Sequence, residues 1–146
     1  MNDHFDTLVR VRYAETDQMG VVYHANYFLY FEIGRTEYIR SIGVEYKKME
    51  TEDDCFFVVA SAKIRHLRPA RYDDLLRIRT RITEANRRTA RISYEVFNDA
   101  SGELLTRGET YHVFCDHLGR PKLLPEKYRR YFEPEARPAS APAESK

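Results

Sequence analysis

The sequence predicts an α+β fold in which a five-stranded antiparallel sheet wraps around one long helix. Two observations lead to it: an apolar run with helical spacing follows residue 26, and from residue 57 the apolar pattern repeats at every second position. At 146 residues the chain is long enough for one domain with one hydrophobic core. We expect this domain to occupy residues 1–132, and the Pro-, Ala- and Glu-rich residues 133–146 to form a disordered tail.

The first strand is predicted at residues 8–13, where apolar residues partly alternate with arginines. A turn over residues 14–23 follows, and Asn26 is a candidate N-cap for the helix. Gly43 is a natural stop because glycine readily adopts the left-handed conformation at a helix end. Apolar residues cover most of the helix surface, so we expect other structure to wrap it. Its main stripe comprises Tyr27, Tyr30, Phe31, Gly34, Tyr38 and Ile42.

Beyond the helix, residues 44–54 form a polar connection with a short helical turn. Four strands are then predicted, at residues 57–68, 75–83, 89–97 and 104–115. Polar turns lie at residues 98–102 and 116–120, and a short helix is expected at 125–132. The residues expected on the inner face are Leu76, Ile78, Thr80 and Ile82, then Ile92, Tyr94 and Val96, and finally Leu105, Tyr111, Val113 and Cys115.

One helix cannot cover both faces of a five-stranded sheet. The sheet should therefore curl around the helix and leave an exposed edge. Because an exposed edge strand carries unpaired N–H and C=O groups, we expect it to pair with a second chain. This predicts an oligomer on physical grounds.

Composition narrows the possible functions. The formal net charge of +1 gives no general attraction to nucleic acid, and no apolar run is long enough to cross a bilayer. The two cysteines form no CxxC pair and the N-terminus lacks the apolar core of a signal peptide, which favours a cytoplasmic protein. No metal-ligand spacing joins His66, His112 and His117, so we interpret them as structural and expect no metal.

An acidic turn followed directly by a helix is the strongest functional signal. Asp17 lies in the turn, Gly20 lets the backbone bend, and the free N–H groups at the helix start point back toward the same space. A carboxylate facing a helix N-terminus is the minimum needed to attack a carbonyl and to stabilise the oxyanion that forms. We therefore expect an enzyme with its chemistry near residues 17–27.

The motif in this turn also carries a family resemblance. The run TDQMGVVYHANY at residues 16–27, followed by Phe31, Glu32 and Arg35, resembles the hotdog-fold acyl-CoA thioesterases of the 4-hydroxybenzoyl-CoA thioesterase branch. The run RPARYDDLL at residues 68–76 is similar to the bacterial Tol–Pal-associated acyl-CoA thioesterase subgroup. The resemblance covers about residues 8–132. It implies a sheet around one helix, dimers joined edge to edge, and pairs of dimers forming homotetramers.

The resemblance implies that Asp17 is the catalytic carboxylate, acting as a nucleophile or as a general base on water. The alternative is a residue that only shapes the turn. The backbone N–H near His24 is the expected oxyanion donor. The side chain of His24 is a second catalytic candidate that could orient water, shuttle a proton or assist the leaving thiolate; alternatively it bonds to the backbone at the helix start.

Further residues are expected to bind the substrate. The position of Glu32 faces the acyl pocket in the resembled family, although an ion pair with Arg35 is the alternative. Ser61 resembles a small polar position beside the thioester or pantetheine, against an ordinary exposed strand serine. Arg87 and Arg88 lie where the family gathers basic groups for the nucleotide phosphates, against a solubilising face. The remaining candidates are Gly20, Val22, Tyr23 and Tyr27, with Tyr27 interpreted as core or pocket wall.

The sequence thus predicts a thioesterase that hydrolyses a short-to-medium acyl-CoA to the free acid and CoA without a cofactor. The G-x-S-x-G motif of serine hydrolases is absent, and so is the G-D-x-N-P-x-H stretch of hotdog dehydratases. Two alternatives stay open: an acyl-carrier-protein thioesterase, and a non-catalytic acyl-binding hotdog subunit. The expected partners are the acyl-CoA substrate and further copies of the chain, with no nucleic acid and no membrane insertion.

Overall fold

The computed structural model describes residues 4–133 as one five-stranded antiparallel sheet with a long helix against one face. The sheet order is β1-β3-β4-β5-β2, with β1 at Phe5–Arg10, β2 at Phe56–His66, β3 at Leu75–Ala85, β4 at Thr89–Asn98 and β5 at Leu104–Cys115. The long helix is α1 (Asn26–Ser41); α2 (Tyr46–Asp53) and α3 (Glu126–Phe132) are short. The expected fold class is confirmed. The predicted tail, apart from Glu133, lies outside the described residues.

The first strand begins and ends earlier than predicted. β1 covers Phe5–Arg10 rather than residues 8–13, because it pairs with β3 from Phe5 opposite Thr80 to Arg10 opposite Leu75. Tyr13–Glu15 instead form a turn of 3₁₀ helix, which leads into the acidic turn. The change matters for function, since it makes residues 11–25 one long connection between β1 and α1.

The start of α1 also differs from the prediction. Ala25, not Asn26, is its N-cap, and the Asn26 side chain reaches back to donate a hydrogen bond to the carbonyl of Glu15 at 2.8 Å. The predicted stop is confirmed: the helix ends before Gly43, whose φ is +101°. Within α1, Gly34 allows a close approach to β3, since a Cβ there would lie 2.6 Å from Oγ1 of Thr80.

The expectation that α1 is wrapped on most sides is wrong for one face. Phe28 and Leu29 are 41% and 37% exposed. On the sheet, β2 is an edge strand, and its Val58 and Val59 are each 41% exposed. Both α1 and the edge strand β2 therefore leave large apolar side chains exposed.

The inner face of β5 is the other correction. β3 and β4 bury the residues expected from their alternation. On β5, however, the buried residues include Thr106, Thr110, His112 and Phe114, whereas Tyr111 and Val113 are only half-buried. Alternation failed here because three of the inward residues are polar, so the apolar pattern indicates the wrong face.

Candidate functional site

Asp17 lies in a tight turn that its own side chain closes. Its Oδ1 accepts a hydrogen bond from the N–H of Met19 at 2.9 Å, and its carbonyl accepts one from Gly20, whose φ is +80°. Within residues 4–133 no hydrogen bond reaches Oδ2 of Asp17. One carboxylate oxygen thus shapes the turn and the other is left for a ligand.

The turn is fixed to its surroundings by backbone pairing. The N–H of Asp17 donates to the carbonyl of Val21, and Thr16 bridges Val22. The N–H of Val22 in turn donates to the carbonyl of Ala70 at 2.8 Å. The acidic turn and the 68–76 segment, which sequence analysis treated as separate motifs, are therefore one structural unit.

The carboxylate of Asp17 lies in the wall of an open cavity of about 560 Å³. Tyr13 and Tyr72 line the same cavity, with their rings in an edge-to-face contact at 5.7 Å between centroids. Both rings are more than half exposed. Neither tyrosine was among the predicted site residues. Their positions, beside the motif at residues 16–27 and within the one at 68–76, were the available signal.

A second cavity, of about 280 Å³, lies at the start of α1. Val22, His24 and Tyr27 line it, together with His66 at the end of β2. Tyr27 is buried, which raises the pKa of its hydroxyl, and it serves as pocket wall as predicted. Residues 20–22 lie between the two cavities: Gly20 lines the first, and Val21 and Val22 line the second.

Two backbone N–H groups just before α1 have no partner in the described chain. Within residues 4–133 the backbone N–H groups of His24 and Ala25 donate no hydrogen bond, whereas the N–H of Asn26 is already bonded to the carbonyl of Tyr23. The His24 side chain makes no hydrogen bond to the described backbone, so the alternative of a helix-start backbone bond is not what the structure shows. Its ring is exposed and contacts the ring of Tyr23 at 4.4 Å.

His66 was interpreted as structural, but it belongs to this cavity. Its ring lies 5.0 Å from that of Tyr27 and 6.5 Å from that of His24. Burial lowers the pKa of His66, and the neighbouring His24 lowers it further. The spacing of the histidines did not predict this placement, because Tyr27 and His24 lie far from His66 in the sequence.

Five of the predicted residues line neither cavity: Tyr23, Glu32, Ser61, Arg87 and Arg88. Tyr23 is exposed, and its ring contacts the ring of His24. Glu32 is exposed on α1 and forms no ion pair with Arg35 in the described chain. Ser61 is exposed on β2, next to a register shift between Val59 and Ser61. Arg87 is used structurally, since its Nε donates to the carbonyl of Leu124 at 3.0 Å.

Arg88 lines a third cavity, at the opposite end of the sheet. This space of about 230 Å³ is also lined by Lys122 and by the apolar side chains of Val113 and Phe114. The guanidinium of Arg88 is exposed and makes no hydrogen bond or ion pair within residues 4–133. The basic group expected to meet phosphates is therefore far from the Asp17 turn of the same chain.

Among residues 4–133, no group of three or more His, Cys, Asp or Glu side chains is placed to hold a metal ion. None of the described helices is both long and apolar enough to cross a membrane.

Comparisons with known proteins agree with this geometry. Residues 19–105 match the thioesterase superfamily. The chain is 37% identical over 119 residues to the acyl-CoA thioester hydrolase YbgC of Escherichia coli, which covers 81% of this chain and 87% of that protein. It is 34% identical over 122 residues to the acyl-CoA thioesterase YbgC of Haemophilus influenzae, covering 84% and 88%.

Solved structures give the same picture. The DHNA-CoA thioesterase of Staphylococcus aureus superposes with a TM-score of 0.78 at 31% identity, covering 82% of this chain and 80% of that one. The match, the relatives and the fold confirm what the 16–27 motif implied. The chain belongs to the thioesterase superfamily, with its hotdog fold and its thioester hydrolase character.

Proposed function

We propose that this protein hydrolyses short-to-medium acyl-CoA thioesters, with Asp17 as nucleophile or general base and the backbone N–H of His24 as oxyanion donor. The observation that carries the proposal is the state of the Asp17 carboxylate. One oxygen is held by the turn, the other is unpartnered within the described chain, and Asp17 lines an open cavity. The names of the relatives support acyl-CoA as the substrate.

Both routes need only these groups. As a base, Asp17 takes a proton from water, the hydroxide attacks the thioester carbon, and the C–S bond breaks to release the CoA thiolate. As a nucleophile, its oxygen attacks the carbon, the thiolate leaves, and water then hydrolyses the mixed anhydride. In each case an oxyanion forms on the former carbonyl oxygen, where an unpaired helix N–H stabilises it. The CoA thiolate is a good leaving group, so no triad is needed.

We further propose that two copies pair antiparallel through their β2 strands. β2 is an edge strand, and its Val58 and Val59 are exposed, as are Phe28 and Leu29 on α1. The first residues of β2 lie near Arg88, whose carbonyl accepts a hydrogen bond from Phe114, while His66 ends the strand beside His24. Antiparallel pairing therefore places Arg88 of each copy at the His24 end of the other. This supports Arg88 as a phosphate ligand in trans and places Ser61 in the interface.

The test is free-thiol release over a panel of acyl-CoAs and acyl-carrier-protein thioesters. Asp17→Asn retains a hydrogen-bond acceptor for the turn but cannot act as a base or nucleophile, so the rate should fall by roughly 10²-fold or more. Asp17→Ala is made alongside, because an Asn at the reacting centre could itself hydrolyse to Asp.

Asp116→Asn is the matched control. Asp116 closes a turn in the same way, with Oδ1 accepting from the N–H of Leu118 at 2.9 Å, but it lies at the other end of β5. Its substitution should leave turnover unchanged. If Asp17→Asn keeps wild-type turnover on the best substrate, the catalytic role is lost and the non-catalytic acyl-binding subunit becomes the better description.

A further inference from the structure

A connected group of polar side chains lies in the core, away from the two cavities at the Asp17 turn. Tyr94 and Thr110, both buried, share a hydrogen bond of 2.7 Å between their hydroxyl oxygens. Thr110 Oγ1 lies 2.7 Å from Nε2 of His112, which is fully buried. Arg35 on α1 adds its guanidinium, with Nη1 donating to the Tyr94 oxygen at 3.4 Å. We call Arg35, Tyr46, Tyr94, Thr110 and His112 the core polar cluster.

The charge of Arg35 is not balanced by a neighbour. Its side chain is half-buried, yet among residues 4–133 no carboxylate forms an ion pair with it. Within the described residues its side chain makes one hydrogen bond, the long one to Tyr94. Charged groups removed from water are normally paired, because an unpaired charge loses its hydration without compensation.

Within the described chain, hydrogen-bond partners are missing at two places in the cluster. A guanidinium can only donate, so Tyr94 accepts from Arg35. Nε2 of His112 shares its hydrogen bond with Thr110, which leaves Nδ1 as the other polar atom of the ring. That Nδ1 is buried and has no hydrogen-bond partner in the described chain, and the same is true of the Tyr46 hydroxyl. Within residues 4–133 the cluster therefore holds two buried polar atoms without a partner and a guanidinium that is not ion-paired, although the carboxylates of Glu32 and Glu50 also act on Tyr46.

Arg35 is the group common to the whole cluster. Its positive charge acts on Tyr46, Tyr94 and His112 alike. The ring of Phe57 contacts both groups that lack a partner, since it stacks on His112 at 4.0 Å and lies 5.9 Å from Tyr46. Burial together with Arg35 lowers the pKa of His112 to about 3, so its ring stays neutral. A guanidinium beside neutral polar groups is suited to an oxygen anion.

We propose that the core polar cluster binds a carboxylate at the far end of the acyl group, so that the preferred substrates are CoA thioesters of dicarboxylic acids. The inference rests on the proposed thioesterase function. Arg35 lies eight residues beyond Tyr27 on α1, a rise of about 12 Å along the helix axis. Phe28 and Phe31 come between them and offer aromatic surface for methylene groups, with Phe31 stacked on Tyr94 at 4.3 Å.

The first measurement compares kcat/KM for pairs of substrates of equal length, from four to ten carbons. One member of each pair ends in a methyl group and the other in a carboxylate. A carboxylate that gains charge-assisted hydrogen bonds should raise kcat/KM by roughly tenfold or more at the length that reaches Arg35. Shorter pairs should show no preference for the carboxylate.

Arg35→Gln should abolish this preference, bringing the ratio between the two members close to one. Arg40→Gln is the matched control. Arg40 is exposed on the same helix and, among the described residues, its guanidinium pairs only with Glu37, so its substitution should leave the ratio at the wild-type value. A wild-type enzyme that hydrolyses methyl-ended substrates and shows no preference for carboxylates at any length would overturn the proposal while sparing the thioesterase function. A ratio unaffected by Arg35→Gln would also overturn it.

Calorimetry on the free acids makes the test independent of turnover. Adipate or a longer diacid should bind the wild type at least tenfold more tightly than the monoacid of equal length, and Arg35→Gln should remove the difference. If acetate binds as tightly as the diacids, Arg35 serves a free anion rather than an acyl terminus, which contradicts the proposal. If every acid binds the wild type and Arg35→Gln with the same affinity, the site does not exist, and this conclusion holds even for a protein that hydrolyses no thioester.

Discussion

Tyr30 donates its phenol hydrogen to Oε1 of Glu15 across 2.8 Å, and both side chains are buried. The same carboxylate accepts from the backbone N–H of Arg12 at 3.0 Å and from the Arg12 guanidinium at 2.8 Å. The carbonyl of Glu15 meanwhile accepts from the N–H of Tyr23. Glu15 is thus the point at which the helix, the 3₁₀ turn and the Asp17 loop are joined.

Tyr30→Phe should therefore lower both stability and activity. The substitution keeps the ring but leaves the buried Glu15 carboxylate short of one hydrogen bond, a loss of about 1–3 kcal/mol in the free energy of unfolding. Because the Asp17 turn is anchored through Glu15, kcat/KM should fall as well. The measurements are chemical denaturation and thioester hydrolysis. Tyr131→Phe, on the short helix α3, is the control and should change neither.

The pH dependence separates this mechanism from simple loss of packing. Burial alone would raise the pKa of Glu15, but the bonds from Arg12 and Tyr30 outweigh it and hold the pKa below its usual value. A carboxyl with a lowered pKa stabilises the fold above its unfolded value, near 4.5, and loses that contribution as the pH falls through the folded pKa. The penalty of Tyr30→Phe should shrink in acid. An equal penalty at neutral and acid pH would mean that packing, not Glu15, is responsible.

The sequence predicted the fold because its strands and helix carry strong local patterns. β3 and β4 bury the expected alternate residues, and Gly43 ends α1 where its conformational freedom indicates. The start of α1 was predicted less well, since Asn26 bonds to Glu15, eleven residues away, rather than capping its own helix. The local pattern contained no trace of that contact.

In the candidate site too, residues within one local motif were predicted and residues brought in by distant contacts were not. Asp17, Gly20 and His24 were found because they fall in one short motif, and the structure places them in or beside the two cavities at the start of α1. His66 and Tyr72 enter through pairing of the 68–76 segment with Val21 and Val22, which no local pattern predicts. The polar inner face of β5 was assigned to the wrong side for a similar reason: Thr110 is buried against Tyr94 on β4, to which it is hydrogen-bonded, and it bonds in turn to His112.

His112→Phe should make stability less dependent on pH. The pKa of His112 is lowered from 6.5 to about 3 in the folded protein, so between these values His112 is neutral when folded and protonated when unfolded. The wild type should therefore lose stability as the pH falls from about 6.5, by up to about 1.4 kcal/mol per pH unit from this group. Phenylalanine does not titrate and keeps the stack on Phe57.

The measurement for His112 is the free energy of unfolding by urea at about pH 7 and about pH 5. The difference between the two values should be smaller in His112→Phe than in the wild type by roughly 2 kcal/mol. Other titrating groups contribute equally to both proteins and cancel. An unchanged difference would show that His112 takes up a proton in the folded state, so that its ring is not held neutral.

The edge-paired dimer predicts that two inactive variants can restore activity when they form a mixed dimer. Asp17→Asn removes the catalytic carboxylate, and Arg88→Ala removes the proposed phosphate ligand that the other copy supplies. When the two variants are unfolded together and refolded as a mixture, half of the dimers contain one chain of each kind. In such a dimer one site carries both defects and the other carries none, because each site takes Asp17 and Arg88 from different chains. At substrate concentrations well below KM the mixture should regain about a quarter of wild-type activity.

Refolding each variant alone is the control and should give no recovery. If light scattering finds dimers but the mixture shows only the average of the two separate activities, Asp17 and Arg88 do not belong to a shared site across the β2 edge. If light scattering finds a stable monomer at micromolar concentration, the dimer model itself is wrong.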